Sequence, residues 1–89
     1  MSYKDIAGKT FIVTGAASGM GKATSNILAE QGANVALFDL RAPTDTAKEI
    51  EAVGGRALPL ECNVQSKEQV DAAVKKVIDH FGALHGESP

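Results

Sequence analysis

The sequence predicts an α/β fold in which three strands alternate with three helices, forming half of a doubly wound parallel sheet. Three short apolar segments alternate with three longer amphipathic segments along the 89 residues, and glycines separate most of them. Strands joined by helices of this length pair in parallel through right-handed crossovers. Two crossovers in the same direction give the strand order 3-2-1.

Length and composition limit the classes of protein. The 89 residues are too few for two domains, and 44% hydrophobic residues exclude a disordered tail. The net charge is −2 without clusters of either sign, which argues against a nucleic-acid partner. Cys62 is the single cysteine, and no apolar segment reaches membrane-spanning length. We expect a soluble, intracellular, cytoplasmic protein without a membrane partner.

The first strand and the first helix are predicted near the amino terminus. Residues 10–14 form a β-rich segment that ends at Gly15. Residues 19–31 are predicted to be helical, with Gly32 as the stop signal. The expected apolar face of this helix consists of Met20, Ala23, Ile27 and Leu28.

The second strand and helix follow directly. Residues 35–40 form an apolar strand, interrupted near its end by Asp39. The helix is predicted to begin near residues 43–46, because Thr46 and Glu49 have the spacing of a capping box. Its expected apolar positions are Ala47, Ile50 and Val53.

The third strand is predicted at residues 57–62. Pro59 within it indicates an edge of the sheet, because proline donates no ladder hydrogen bond. The third helix is predicted to be capped by Ser66 with Gln69 and to end at Gly82. Its apolar stripe consists of Val70, Ala73, Val74, Val77, Ile78 and Phe81.

A glycine-rich turn joins the first strand to the first helix. Gly15 permits a sharp exit from the strand, Gly19 lets a pyrophosphate approach the backbone, and Gly21 lets the helix pack close to the sheet. The N–H groups and the positive dipole end of the helix then face the phosphates. Ser18 adds a hydroxyl donor, and Met20 completes this part of the predicted cofactor site.

The spacing of the glycines distinguishes between nucleotide classes. A P-loop has four residues between its glycines and then Lys-Ser/Thr, whereas five residues separate Gly15 from Gly21, and Ala23 follows Lys22. ATP or GTP hydrolysis is therefore disfavoured, and the turn favours a Rossmann-type dinucleotide-binding unit. A fragment of an S-adenosylmethionine-dependent methyltransferase, whose turn has tighter glycine spacing, is an alternative.

The segment from Thr14 to Gly21 resembles the Thr-Gly-x-x-x-Gly-x-Gly motif of the short-chain dehydrogenase/reductase family. Residues 9–13 are similar to the first strand of that family. Residues 81–86 resemble its Phe-Gly-x-Leu-Asp-Gly segment, with His85 in the acidic position. The resemblance implies a nicotinamide dinucleotide cofactor, hydride transfer to or from an alcohol or ketone carbon, and relatives that form homo-oligomers.

Asp39 is the candidate ligand of the adenosine ribose. It stands 24 positions after Gly15, near the offset of about 20 residues typical of a ribose-binding acid. Its carboxylate would accept bonds from the ribose hydroxyls and repel a 2′-phosphate by about 1–4 kcal/mol. The sequence therefore favours NAD(H) over NADP(H). Leu40, the next residue, is predicted to belong to the same cofactor site. The alternative for Asp39 is a cap or a solvated loop acid.

Asn63 and Val64 follow the third strand, where the resemblance implies a contact with adenine. The family usually has aspartate at the first of these positions, which accepts a bond from the adenine amino group. The amide oxygen of Asn63 can accept the same bond, and Val64 can pack against the ring. An ordinary turn asparagine is the alternative.

The family's catalytic Tyr-x-x-x-Lys pair has no counterpart in these 89 residues. Tyr3 is the only tyrosine, and Ala7 stands four positions beyond it, where the motif needs lysine. No catalytic residue and no metal site is assigned. We therefore expect residues 1–89 to be a partial NAD(P)-binding domain without its catalytic half, inactive alone.

The family continues after position 86 into a fourth strand, where this chain has Glu87-Ser88-Pro89. We expect this strand to be missing, so that Phe11, Ile12 and Val13 form an unpaired edge prone to aggregation. A non-catalytic nucleotide-binding or interaction module from a truncated isoform, which pairs with other proteins along this edge, is the alternative.

Overall fold

The computed structural model describes residues 6–82 with their side chains and residues 86–88 as backbone. Tyr3 and His85, which the sequence analysis considered, lie outside the described residues. The elements are β1 (Thr10–Thr14), α1 (Gly19–Glu30), β2 (Asn34–Asp39), α2 (Thr44–Ala52), β3 (Arg56–Glu61), α3 (Lys67–Phe81) and β4 (Gly86–Ser88). The predicted alternation of strands and helices is confirmed, with β2 and β3 each shifted by one residue.

The strands form one parallel sheet in the order β3-β2-β1-β4, which contains the predicted order 3-2-1. Val13 of β1 lies opposite Leu37 of β2, and Leu37 lies opposite Pro59 of β3. Because β3 is an edge strand, Pro59 stands where the absence of its N–H is tolerated.

The expectation of a missing fourth strand is wrong. Gly86–Ser88 pairs in parallel with β1, opposite Phe11, Ile12 and Val13. After α3 the chain returns to the far side of β1, as a doubly wound sheet requires. Since β1 now lies between β2 and β4, these three residues are not an unpaired edge.

Both faces of β2 are buried, because alternate residues of a strand point to opposite sides of the sheet. Val35 and Leu37 belong to the core beneath α1 and α2, whereas Ala36 and Phe38 belong to the core beneath α3. The helical residues that complete these two cores are Ala29, Ala47 and Ile50 on one side, and Ala73 and Val77 on the other. The chain is therefore a three-layer α/β/α sandwich.

The predicted apolar face of α1 is mostly wrong. Of its four residues only Leu28 packs against the core. The exposed residues are Met20, Ala23 and Ile27. The side chains that α1 buries are those of Ser25 and Ala29. Small side chains face the sheet because α1 begins in direct contact with the end of β1.

The predicted cap of α2 is also wrong. Pro43 occupies the N-cap position, and Thr46 lies inside the helix with its side chain fully buried. Val53, expected in the core, is 73% exposed. Ala47 and Ile50 are buried as predicted.

The predictions for α3 are largely confirmed. The side chain of Ser66 accepts a hydrogen bond from the Gln69 N–H at 3.3 Å. Gly82 ends the helix with a φ of 87°, a left-handed conformation that favours glycine. Ala73 and Val77 are buried, whereas Ile78 at the side of the stripe is 42% exposed. No helix in residues 6–82 is long and apolar enough to cross a membrane.

A matched pair of valine truncations tests this core. Val77 is 0% exposed and Val53 is 73% exposed. Val77→Ala should lower the free energy of unfolding by about 1–3 kcal/mol, because it removes buried methyl groups and leaves a cavity. Val53→Ala should change it by less than about 0.5 kcal/mol. Urea unfolding followed by circular dichroism measures both, and equal effects would contradict the assigned packing of α3.

Candidate functional site

The glycine turn leaves β1 and enters α1 through two left-handed residues. Gly15 has a φ of 65° and Gly19 a φ of 60°, and neither has an atom near the position of an added Cβ. Conformation, and not space, is therefore what makes glycine suitable at both positions, because side chains disfavour a positive φ.

Gly21 is constrained by space. A Cβ atom at Gly21 would overlap the carbonyl oxygen of Gly15 and lie 2.9 Å from that of Thr14. The first turn of α1 therefore rests directly on the end of β1. This contact aims the amino end of the helix at the carboxyl edge of the sheet.

The middle of the turn is bonded to β2 and α2. The Ala16 N–H donates to the carbonyl oxygen of Phe38 at 3.1 Å, and the Ala16 carbonyl accepts from Oγ1 of Thr46 at 2.8 Å. The Ala17 N–H donates to Oδ2 of Asp39 at 3.0 Å. The sequence does not predict these roles, because the alanines carry no signal and the spacing of Thr46 and Glu49 is typical of a helix cap.

Asp39 ends β2 with both carboxylate oxygens engaged by the backbone. Its Oδ1 accepts from the Leu40 N–H at 2.7 Å, while Oδ2 accepts from Ala17. The side chain is half-buried, and each carboxylate oxygen keeps a further lone pair for a ligand. The carboxylate is thus held in place beside the turn and can still accept bonds from hydroxyl groups.

A cleft of about 210 Å³ opens at the carboxyl edge of the sheet. It brings together five of the predicted site residues: Gly15, Asp39, Leu40, Asn63 and Val64. This volume is below the roughly 300–1,000 Å³ of pockets that enclose a whole small ligand, so the cleft suits part of a dinucleotide. Leu40 and Val64 are 66% and 52% exposed and offer apolar surface to a ring.

The other four predicted residues, Ser18, Gly19, Met20 and Gly21, form the start of α1 beside Gly15. Ser18 is the N-cap, but its side chain makes no capping hydrogen bond, and Met20 is 87% exposed. No acidic residue lies in the first turn of α1. The free N–H groups and the positive dipole end therefore remain able to attract an anion.

Lys22 faces α2. Its Nζ lies 2.7 Å from the Glu49 carboxylate, and the hydrogen bond and charge of Glu49 raise the pKa of Lys22 above its ordinary value. This ion pair joins α1 to α2 at the surface.

Asn63 has a defined structural role in its turn. Its Oδ1 accepts from the Gln65 N–H at 3.0 Å, and its own N–H donates to Oε1 of Gln69 at 2.8 Å. An amide oxygen has two lone pairs, so Oδ1 can accept one further bond. The turn role considered for Asn63 is therefore present, and it is compatible with a contact to a base.

The described residues hold no cluster of metal ligands. Across residues 6–82, no group of three or more His, Cys, Asp or Glu side chains is placed to hold a metal ion. Cys62 lines the cleft but is 1% exposed, and burial raises the pKa of its thiol.

This combination of a parallel sheet, a glycine turn and an acid after β2 is typical of nucleotide-binding α/β units. The sequence profile of the family described as "short chain dehydrogenase" matches residues 9–86. The chain therefore belongs to the short-chain dehydrogenase/reductase family of oxidoreductases, whose members bind nicotinamide cofactors. This membership overturns the methyltransferase alternative.

Two curated relatives illustrate the similarity. The 2,5-dichloro-2,5-cyclohexadiene-1,4-diol dehydrogenase of Sphingobium indicum is 42% identical over 82 residues, which are 92% of this chain and 32% of that protein. Hydroxysteroid dehydrogenase-like protein 2 of Homo sapiens is 40% identical over 88 residues, covering 89% of this chain and 21% of that protein. The chain thus spans about a third or less of the length of these relatives.

Solved structures of dehydrogenases have the same fold over the matched region. A hydroxysteroid dehydrogenase from Escherichia coli matches with a TM-score of 0.91 at 29% identity, over 96% of this chain and 37% of that one. A short-chain type dehydrogenase/reductase from Mycobacterium marinum matches with a TM-score of 0.89 at 33% identity, over 96% of this chain and 34% of that one. The predicted fold class is confirmed by these matches.

Gly21→Ala tests the contact between α1 and β1. Helix propensity alone would make this change stabilising by about 1 kcal/mol. Because the new Cβ would overlap backbone atoms of Gly15, we expect a net destabilisation of about 2 kcal/mol instead. Urea unfolding measures whether the free energy of unfolding rises or falls. Gly54→Ala is the control, since it has open space and a φ of 84°, and should cost about 1 kcal/mol. A stabilised Gly21→Ala chain would contradict the contact.

The thiol of Cys62 should react slowly in the folded chain. Burial both blocks access and raises its pKa, which lowers the thiolate fraction at pH 8. The unfolded chain loses the thiol proton at a lower pH than the folded chain. The free energy of unfolding is therefore unaffected by this thiol below its ordinary pKa of 9.0 and falls as pH rises above it. Reaction with a chromogenic disulfide at pH 8 should accelerate by at least about tenfold in urea. Equal rates in the folded and unfolded chains would contradict the burial of Cys62.

Proposed function

We propose that this chain is the adenosine- and pyrophosphate-binding part of a short-chain dehydrogenase/reductase and that it prefers NAD(H) to NADP(H). The observation that carries the proposal is the position of Asp39. Its carboxylate lines the cleft together with Gly15 and is bonded to the Ala17 N–H of the glycine turn. A ribose beside the turn would meet a negative charge already in place.

The geometry of the site supports binding of a dinucleotide in a definite direction. The start of α1, with its uncompensated dipole, suits the pyrophosphate. Asp39 suits the ribose hydroxyls. Leu40 and Val64 offer apolar contacts to adenine at the far end of the cleft, where Asn63 supplies an acceptor.

Arg41 stands two residues after Asp39, is exposed and does not line the cleft. A 2′-phosphate would therefore be repelled by Asp39, by about 1–4 kcal/mol at a few ångströms. This repulsion supports the preference for NAD(H).

In the complete protein, the bound nicotinamide would exchange a hydride with an alcohol or ketone carbon. The relative from Sphingobium indicum, which is named as a dehydrogenase of a cyclic diol, supports this reaction class. The 89 residues hold no Tyr-x-x-x-Lys pair, so we propose that they bind the cofactor without turnover.

An interaction module is not favoured as a second function. It depended on an unpaired edge at β1, and Gly86–Ser88 pairs with that edge.

Asp39→Asn tests the cofactor preference. The amide keeps an oxygen that can accept from Ala17 but removes the negative charge. Calorimetric titration of the wild-type chain should show tighter binding of NAD than of NADP by about tenfold or more. In the Asp39→Asn chain this ratio should fall to about one, because NADP binding improves.

Asp71→Asn on the exposed surface of α3 is the matched control and should leave the ratio unchanged. A wild-type chain that prefers NADP, or an Asp39→Asn chain with an unchanged ratio, would contradict the role of Asp39. A wild-type chain that binds neither dinucleotide would contradict the proposed function.

A further inference from the structure

One peptide unit of the glycine turn is held at both ends by side chains from other elements. The carbonyl oxygen of Ala16 accepts from Oγ1 of Thr46 at 2.8 Å, and the N–H of Ala17 donates to Oδ2 of Asp39 at 3.0 Å. Both groups belong to the same trans peptide bond, which is planar and rigid. Thr46 and Asp39 are therefore hydrogen-bonded at opposite edges of one peptide plane.

The carbonyl edge of this peptide, which is bonded to Thr46, is closed to water. Thr46 and Ala16 are both 0% exposed. Without the hydroxyl, the Ala16 carbonyl would be buried with no donor from solvent to replace it. The preceding peptide is anchored separately, because the Ala16 N–H is bonded to the carbonyl oxygen of Phe38.

The opposite edge of the peptide, the Ala17 N–H, is bonded to Asp39, which lines the cleft. Within the described residues, the Leu40 N–H is the donor to Oδ1 of Asp39. That bond joins neighbouring residues and does not connect the carboxylate to the glycine turn. The bond from Ala17 to Oδ2 is the link between the carboxylate and the glycine turn, and hydrogen bonds in a chain strengthen one another.

We infer that Thr46 is a positioning residue for cofactor selection: acting through the Ala16–Ala17 peptide, its hydroxyl holds the Asp39 carboxylate at the ribose end of the cleft. Thr46 itself does not line the cleft. This role rests on the proposed function, since selection has meaning only if the chain binds the dinucleotide.

Thr46→Val and Thr46→Ser separate the hydroxyl from the bulk of the side chain. Thr46→Val keeps the shape and removes the donor, so the Kd for NAD should rise about fivefold to tenfold. The NAD-over-NADP ratio should fall at least about threefold, because a freed carboxylate repels the 2′-phosphate less. Thr46→Ser keeps the donor and should retain the wild-type ratio within about twofold.

Ile50→Val controls for general loosening of α2. Ile50 is 0% exposed, lies in the same helix and makes no contact with the cleft. Its truncation lowers stability by removing a buried methylene but should leave the ratio unchanged. In an Asp39→Asn background, Thr46→Val should also leave the ratio unchanged, because the charge it positions is gone.

A Thr46→Val chain with the wild-type ratio would overturn the inference, as would an equal loss of selectivity in Ile50→Val. Amide hydrogen exchange at Ala17 in the ligand-free chain gives a separate readout. Faster exchange in Thr46→Val but not in Thr46→Ser supports the coupling through the peptide, and unchanged exchange overturns it. If the wild-type chain binds neither dinucleotide, the proposed function fails, and this exchange measurement still decides whether Thr46 holds the peptide.

Discussion

The contact between the first turn of α1 and the end of β1 governs the arrangement of this molecule. Gly21 leaves no room for a side chain against the carbonyl oxygen of Gly15, so the helix axis lies close to the sheet. A helix this close can bury only small side chains, and Ser25 and Ala29 fill that role while Met20 turns to solvent. The same contact sets the amino end of the helix beside the cleft, where its positive dipole end would attract an anion.

The site itself is a consequence of parallel pairing. Each of the first three strands ends at the same edge of the sheet, so the residues that follow them meet there although they are far apart in sequence. Gly15 follows β1, Asp39 ends β2 and Asn63 follows β3. The edge thus carries both the positive end of a helix and a negative carboxylate. The helix end is complementary to phosphates, and the carboxylate is complementary to ribose hydroxyls.

The fourth strand links this chain to the architecture of its larger relatives. Gly86–Ser88 extends the sheet past β1, in the direction in which a doubly wound sheet adds its second half. The chain covers 37% and 34% of the two solved structures described above, which it matches with TM-scores of 0.91 and 0.89. The fold of these relatives over the matched region is therefore reproduced by local and strand-end contacts within these 89 residues.

The amino-acid sequence by itself determined the order of the elements, the strand order 3-2-1, the edge position of Pro59 and the cap of α3, because these depend on periodicity, proline chemistry and local hydrogen bonds. The start of β4 was not predictable, since three residues carry too little pattern. Only the tertiary structure decided which face of α1 is buried and what Thr46 does. The buried face of α1 depends on the close contact of Gly21 with Gly15, and the role of Thr46 depends on a hydrogen bond from α2 to the glycine turn. Neither contact follows from the periodicity of the sequence.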